Sequence, residues 1–253
     1  MFKKITILTT VLFLLSACGA PDTIPAIPTA TQSLDFGISA TQNPVATPET
    51  AYQPNPNDPC NNQYYPIVNG ATWTYQTIVQ NNTPTVATHS MSVVDDGSFT
   101  VTVQHADSVF TMDGTCGDDG VILMDVPGVS ATYSGEGSGS TLSTTNDDGV
   151  TVPDDIQVSD DWSQTISVVG SSDGEVTLSA TIETTYKALG YEIVTVPAGT
   201  FNALKVEQNG SMTITGAPAL ETHGFIWYAA GVGMVKSGLD GTYTIELVSY
   251  SIP

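Results

Sequence analysis

The chain contains no arginine, and two of its five lysines, Lys3 and Lys4, stand at the extreme N-terminus. Against these are 26 acidic residues, for a formal net charge of -21. Binding to nucleic acid requires clustered cations that neutralise phosphates, and none are present, so that class of partner is excluded. The same shortage excludes a polybasic grip on anionic lipid. Histidine is limited to His89, His105 and His223, and cysteine to Cys18, Cys60 and Cys116. No C-x-x-C pair, H-E-x-x-H, P-loop or S-x-x-K occurs, so no cofactor motif or catalytic constellation is legible and the chain reads as non-catalytic. Asp pairs such as Asp147-Asp148 and Asp160-Asp161 are frequent, but no EF-hand loop spacing accompanies them.

What is present begins with a targeting segment. Lys3 and Lys4 precede an uncharged run from Ile5 to Ala17, which is the layout of a secretory signal. The run is short for a transmembrane helix, which needs about 20 apolar residues. It ends in Leu15-Ser16-Ala17-Cys18-Gly19, which resembles the lipobox of bacterial lipoproteins. The resemblance implies cleavage after residue 17 and acylation of Cys18, placing the protein outside the cytoplasm on the cell membrane or outer membrane. Acyl chains stabilise such anchorage by about 0.8 kcal/mol per buried methylene. Loss of Lys3 and Lys4 on cleavage would leave only Lys187, Lys205 and Lys236 as lysines.

Residues 18–59 read as a tether. They hold eight of the fifteen prolines and no lysine, with little apolar residue content to offset ordering entropy. A Pro-rich chain of this length acts as a semi-rigid spacer of about 40 to 100 Å. Residues 60–253 then form a single domain. Cys60 and Cys116 are an even pair in an exported chain, and are expected to form a disulfide.

The domain shows no helical period. Trp73 and Tyr75 share one parity, as do Met91 and Val93, and Phe99 with Val101 and Val103. Such alternation, with Gly and Asp punctuation, specifies half-buried antiparallel strands. Keeping apolar faces matched across turns selects three-residue loops at Asp95-Asp96-Gly97, Gln208-Asn209-Gly210 and Leu239-Asp240-Gly241. These predict the pairs Val93–Phe99, Met91–Val101, Val206–Met212 and Ser237–Tyr243. The Gly, Ser, Thr and Asp-rich stretch 126–161 reads either as an unstructured insertion or as a weak hairpin. The fold class is all-β: a strongly curved antiparallel sheet, as a half-barrel or open-barrel meander.

Three stretches carry a family resemblance: YYPIVNGATWTY (64–75), VTVPAGTFNALKV (194–206) and FIWYAAGVGMVKSG (225–238). They resemble bacterial extracytoplasmic proteins of largely uncharacterised function, which in turn resemble the lipoprotein-carrier group (LolA-like and LppX-like). That group's curved sheet cradles acyl chains. The resemblance implies an apolar or lipid ligand on the concave face, with Trp73, Tyr75, Phe99, Val101, Phe225 and Trp227 as candidate lining residues. The alternative is a cell-envelope structural or protein-interaction module with a filled core and acidic loops suited to cations. His89 and His105 fall on diagonal positions of one hairpin face and are weak metal-ligand candidates, because no third ligand has a defined spacing.

Overall fold

The structure is a computed structural model and describes residues 60–253, apart from 81, 96, 107, 118, 125–139 and 173–174. The signal segment, Cys18 and the tether therefore lie outside the described residues. The described chain forms thirteen strands: β1 Thr72–Val79, β2 Thr85–Asp95, β3 Ser98–Gln104, β4 Val109–Gly117, β5 Gly120–Leu123, β6 Ser140–Gly149, β7 Val152–Pro153, β8 Asp161–Ser172, β9 Glu175–Val196, β10 Gly199–Ile214, β11 Leu220–Ala229, β12 Gly233–Leu239 and β13 Tyr243–Ser251. All belong to one antiparallel sheet in the order β6-β8-β9-β10-β11-β12-β13-β1-β2-β3-β4-β5-β7.

That order is a meander whose first and last strands meet. β1 pairs with β13 from Thr72↔Ser251 onward, so the break in the ladder falls inside the chain, at β6 and β7. Only Val150 and Thr151 separate those two edge strands in sequence, which forces the sheet to curl until its ends approach. At the seam, Val150 N–H donates to Ser163 O (3.2 Å) and Thr151 N–H to Val121 O (2.9 Å). Buried Gln164 completes the stitch: it accepts from Thr151 Oγ1 (2.8 Å) and donates to Leu123 O (3.2 Å). Side chains bridge the seam where strands do not, and the result is a curved open sheet rather than a closed barrel.

The expected registers divide instructively. Val93↔Phe99 and Met91↔Val101 pair as the alternation requires, although a register shift between Val93 and Asp95 shortens the turn itself. At the β12–β13 turn the loop still has three residues, but Leu239 pairs with Tyr243, so Ser237 meets Ile245 instead of Tyr243. A two-residue displacement preserves every side chain's face, and the hydrophobic pattern is blind to it. The hairpin expected at Gln208-Asn209-Gly210 does not form. β10 runs straight through these residues, with Val206 paired to Ala188 and Ile226 and Met212 to Ile182 and Leu220. Asn-Gly is a turn signal only where no neighbouring strand claims it, and here two long strands do. Gly210 instead leaves room for Thr222, whose Oγ1 would lie 2.6 Å from a Cβ at this position. Likewise 175–189 and 191–196 fuse into β9. Within 126–161, residues 140–149 and 152–153 are strands.

One face of the sheet is dry. Trp73, Tyr75, Met91, Phe99, Val101, Leu204, Val206, Ile226, Tyr228, Val235 and Leu247 form one buried cluster. Phe99 lies over Gly114, where any Cβ would stand 2.2 Å from the ring. Two elements cover this face. Residues 60–71 contribute buried Cys60, Asn62, Tyr64, Ile67 and Ala71. The tip of the β9–β10 hairpin contributes Val194, Val196 and Phe201, and it crosses β13 where Ala198 N–H donates to Leu247 O (3.0 Å). A smaller cluster of Ile166, Val168 and Ala180 holds the far end of β8–β10.

Cys60 and Cys116 are joined by a disulfide across 56 residues. A loop of that length corresponds to about 4 kcal/mol in the chain-entropy account. The bridge pins the start of the domain to β4. Asn62 reinforces it from full burial, donating to Val152 O (3.2 Å) and Pro153 O (2.9 Å) and accepting from Tyr64 and Tyr65 N–H (2.9 Å each).

Candidate functional site: two faces of one sheet

The structure separates the six candidate lining residues. Trp73, Tyr75, Phe99 and Val101 lie on the inner face and are 1–6% exposed. Trp73 Nε1–H donates to Val232 O (2.7 Å) and Tyr75 O–H to Met234 O (3.0 Å). Phe99 packs 5.9 Å from Tyr65. Their polar atoms are satisfied by the chain itself, and their apolar surface is covered by residues 60–71 and neighbouring strands. Phe225 and Trp227 have the other parity on β11. They alternate with buried Ile226 and Tyr228 and emerge half-buried on the outer face.

His89 lies within β2, and His105 immediately follows β3. His89 pairs with Trp73 and Val103 and lies edge-on to Tyr75 at 4.9 Å. Burial, assisted by His105, pushes its imidazole down to about 4. His105 stacks on Phe110 at 5.8 Å. Among the described residues no group of three or more His, Cys, Asp or Glu gathers as a metal site.

The outer face carries an arrangement that the sequence did not reveal. Across it, Lys205 pairs with Trp227, Trp227 with Lys236, Lys236 with Glu246, and Glu246 with Gln76. A parallel row runs Asp161, Lys187, Glu207, Phe225. All three lysines beyond the signal segment lie in these two rows. Lys205 Nζ is 4.5 Å from the Phe225 ring centre and 5.2 Å from Trp227, and Lys236 Nζ is 5.7 Å from Trp227. Each lysine also meets a carboxylate: Lys187–Asp161 at 3.5 Å, Lys205–Glu192 at 3.8 Å, Lys236–Glu246 at 3.3 Å. Trp227 Nε1–H donates to Glu192. Such pairs depend on the register between several strands, and only the apolar character of both parities in FIWY hinted at an occupied outer face.

Two open depressions adjoin these features. One, of about 460 Å³, lies on the outer side of β8–β10 and is lined by Asp161, Lys187, Glu207 and Asn209 among others. The second, of about 540 Å³, opens at the seam beside Cys116, Asp119, Asp148 and Trp162. Both have charged and polar rims, unlike the dry groove an acyl chain would need.

A single curved antiparallel sheet, folded over its own N-terminal segment and stitched at a seam, defines the class of this molecule. The chain belongs to the DUF3108-like family, whose sequence profile matches residues 71–243. Two solved structures share the fold. One is a Bacteroides fragilis protein described as exported and of YmcC-like fold, 16% identical, covering 75% of this chain and 99% of its own, with a TM-score of 0.53. Another, from Parabacteroides distasonis and described as a lipoprotein, is 15% identical over the same shares with a TM-score of 0.52. The hypothetical lipoprotein YmcC of Escherichia coli is 14% identical, covering 76% of this chain and 86% of its own, with a TM-score of 0.36. No curated protein matches the sequence significantly.

Proposed function

We propose that this protein is an extracytoplasmic lipoprotein, held to the membrane by acyl chains on Cys18, whose β domain is a non-catalytic interaction module. Anchorage is supported by the Leu15-Ser16-Ala17-Cys18 box and the Pro-rich stretch behind it. Fold-mates described as exported or as lipoproteins agree with it. The observation that carries the choice of module over acyl-chain carrier is the covering of the inner face. Tyr64, Ile67 and Cys60 occupy the space where a ligand would lie, and Tyr64 O–H meets Tyr191 O–H at 2.5 Å. A carrier must keep an apolar groove of several hundred Å³ open. A domain with a filled core acts instead through what it displays, here acidic loops and a charge-balanced outer face.

Mass spectrometry of the protein extracted from membranes in detergent tests both halves. The expected mass is that of the chain from Cys18 plus covalent acyl groups, with no further lipid released by organic solvent. A mass without acylation removes the anchor. A stoichiometric lipid of discrete mass released by solvent restores the carrier reading and sinks the module.

A further inference from the structure

His223 stands between two carboxylates that belong to different elements. Its Nε2 lies 3.0 Å from Glu207 Oε1 on β10, and its Nδ1 lies 2.6 Å from Asp240 Oδ2 in the β12–β13 turn. An ionised carboxylate only accepts hydrogen bonds, and a neutral imidazole can donate from one nitrogen alone. Satisfying both contacts at once therefore requires the doubly protonated ring.

We infer that His223 is a pH-responsive clamp: as imidazolium it ties the β12–β13 turn to β10, and loss of its proton releases one of the two carboxylates. The backbone places the clamp, since Asp240 N–H donates to His223 O (2.9 Å) and the Phe225 ring lies edge-on at 5.1 Å. The surrounding charges leave His223 as the group that answers Glu207 and Asp240. On β9, Lys187 lies opposite Glu207 but is paired with Asp161 of β8. On β10, Lys205 is engaged by Glu192 and the Phe225 ring. On β11, Glu221 accepts from Ser211 Oγ (2.8 Å). Hydrogen bonding to Glu207, then to Asp240, holds the imidazole above its ordinary value, which outweighs its slight desolvation. A raised folded-state value means that the clamp's contribution is complete below the unfolded value of about 6.5 and is lost as pH rises through the folded value. Opening adds negative charge to the outer face beside Phe225 and frees the turn. This goes beyond the module reading by giving the displayed surface two states set by external pH.

Ring and amide resonances of the full mature chain in detergent micelles, followed from pH 5 to 9, test the clamp. His223 is expected to titrate above about 6.5, with the Gly241 and Thr242 amides moving at the same midpoint. Glu207→Gln and Asp240→Asn should each lower that midpoint, and His223→Gln should silence the turn amides over this range. A wild-type midpoint at or below about 6.5, or turn amides that do not follow the ring, overturns the proposal.

Discussion

The inner and outer faces of this sheet are built from the same strands, one residue out of phase, and they obey different rules. On β11, Ile226 and Tyr228 enter the core while Phe225 and Trp227 carry lysines above their rings. The histidines show the difference most sharply. His89, on the inner side, loses hydration and its proton is disfavoured; His223, outside, gains two carboxylates and its proton is favoured. The same side chain thus pulls stability in opposite directions with pH, and position relative to the sheet decides the sign. Inner contacts act through area and fit, which salt does not screen; outer contacts act through charge, which it does.

The largest effect expected from this contrast lies in the inner face's own plug. Tyr64 is 2% exposed, with its ring 6.5 Å from Tyr228. Tyr64→Ala would leave a cavity under the sheet and is expected to cost about 3–5 kcal/mol, as large aromatic truncations do. For a domain of this size that is a fall in Tm of roughly 10 °C. Tyr64→Phe keeps the volume and forfeits only the bond to half-exposed Tyr191, costing about 1 kcal/mol. Thermal unfolding of the two variants side by side gives the ratio. If both cost the same small amount, residues 60–71 are not part of the core, and the inner face is open after all.

His89 sharpens the comparison. Its folded value of about 4 is depressed, so the unfolded chain takes up the proton first as pH falls. Stability attributable to His89 is complete above about pH 6.5 and declines toward pH 4, by about 3 kcal/mol in all. Urea titrations at pH 7 and pH 4.5 should show a smaller drop for His89→Gln than for the unaltered protein. Equal drops would mean that water reaches the ring more freely than its packing against Tyr75 indicates.

How far the sequence disclosed all this follows from what each pattern can see. Alternation located the inner face, because Trp73, Tyr75, Phe99 and Val101 are each flanked by polar residues of the other parity. It paired Val93 with Phe99 correctly because that contact is local and a one-residue slip would have turned apolar groups outward. It could not detect the two-residue displacement at Ser237↔Ile245, which changes partners and no faces. The Asn209-Gly210 turn was misread for a related reason: turn propensity is local, whereas the pairing of β10 with β9 and β11 is not. The plug was illegible. YYPIV looks like a strand's lead-in, and only three-dimensional packing shows Tyr64 beneath the sheet. The outer rows were equally hidden, since Lys187, Lys205, Phe225, Trp227 and Lys236 meet across four strands.

The smallest expected effect is the one most diagnostic of the outer face. Lys187 and Asp161 are 48% and 68% exposed, whereas Lys236 and Glu246 are 30% and 18% exposed and Glu246 also accepts from Gln76 Nε2. Exposed pairs are worth about 0–1 kcal/mol and fade with salt. Lys187→Met should therefore change stability by less than about 0.5 kcal/mol. Lys236→Met, which leaves the more buried Glu246 carboxylate without its cation, should cost somewhat more, about 1 kcal/mol. Added salt should shrink the first difference before the second, because water already screens Lys187. Urea midpoints in low and high salt measure both. A loss well above 1 kcal/mol at Lys187 would show that the outer rows form one cooperative lattice, and that the division of labour between the faces is less complete than their exposures imply.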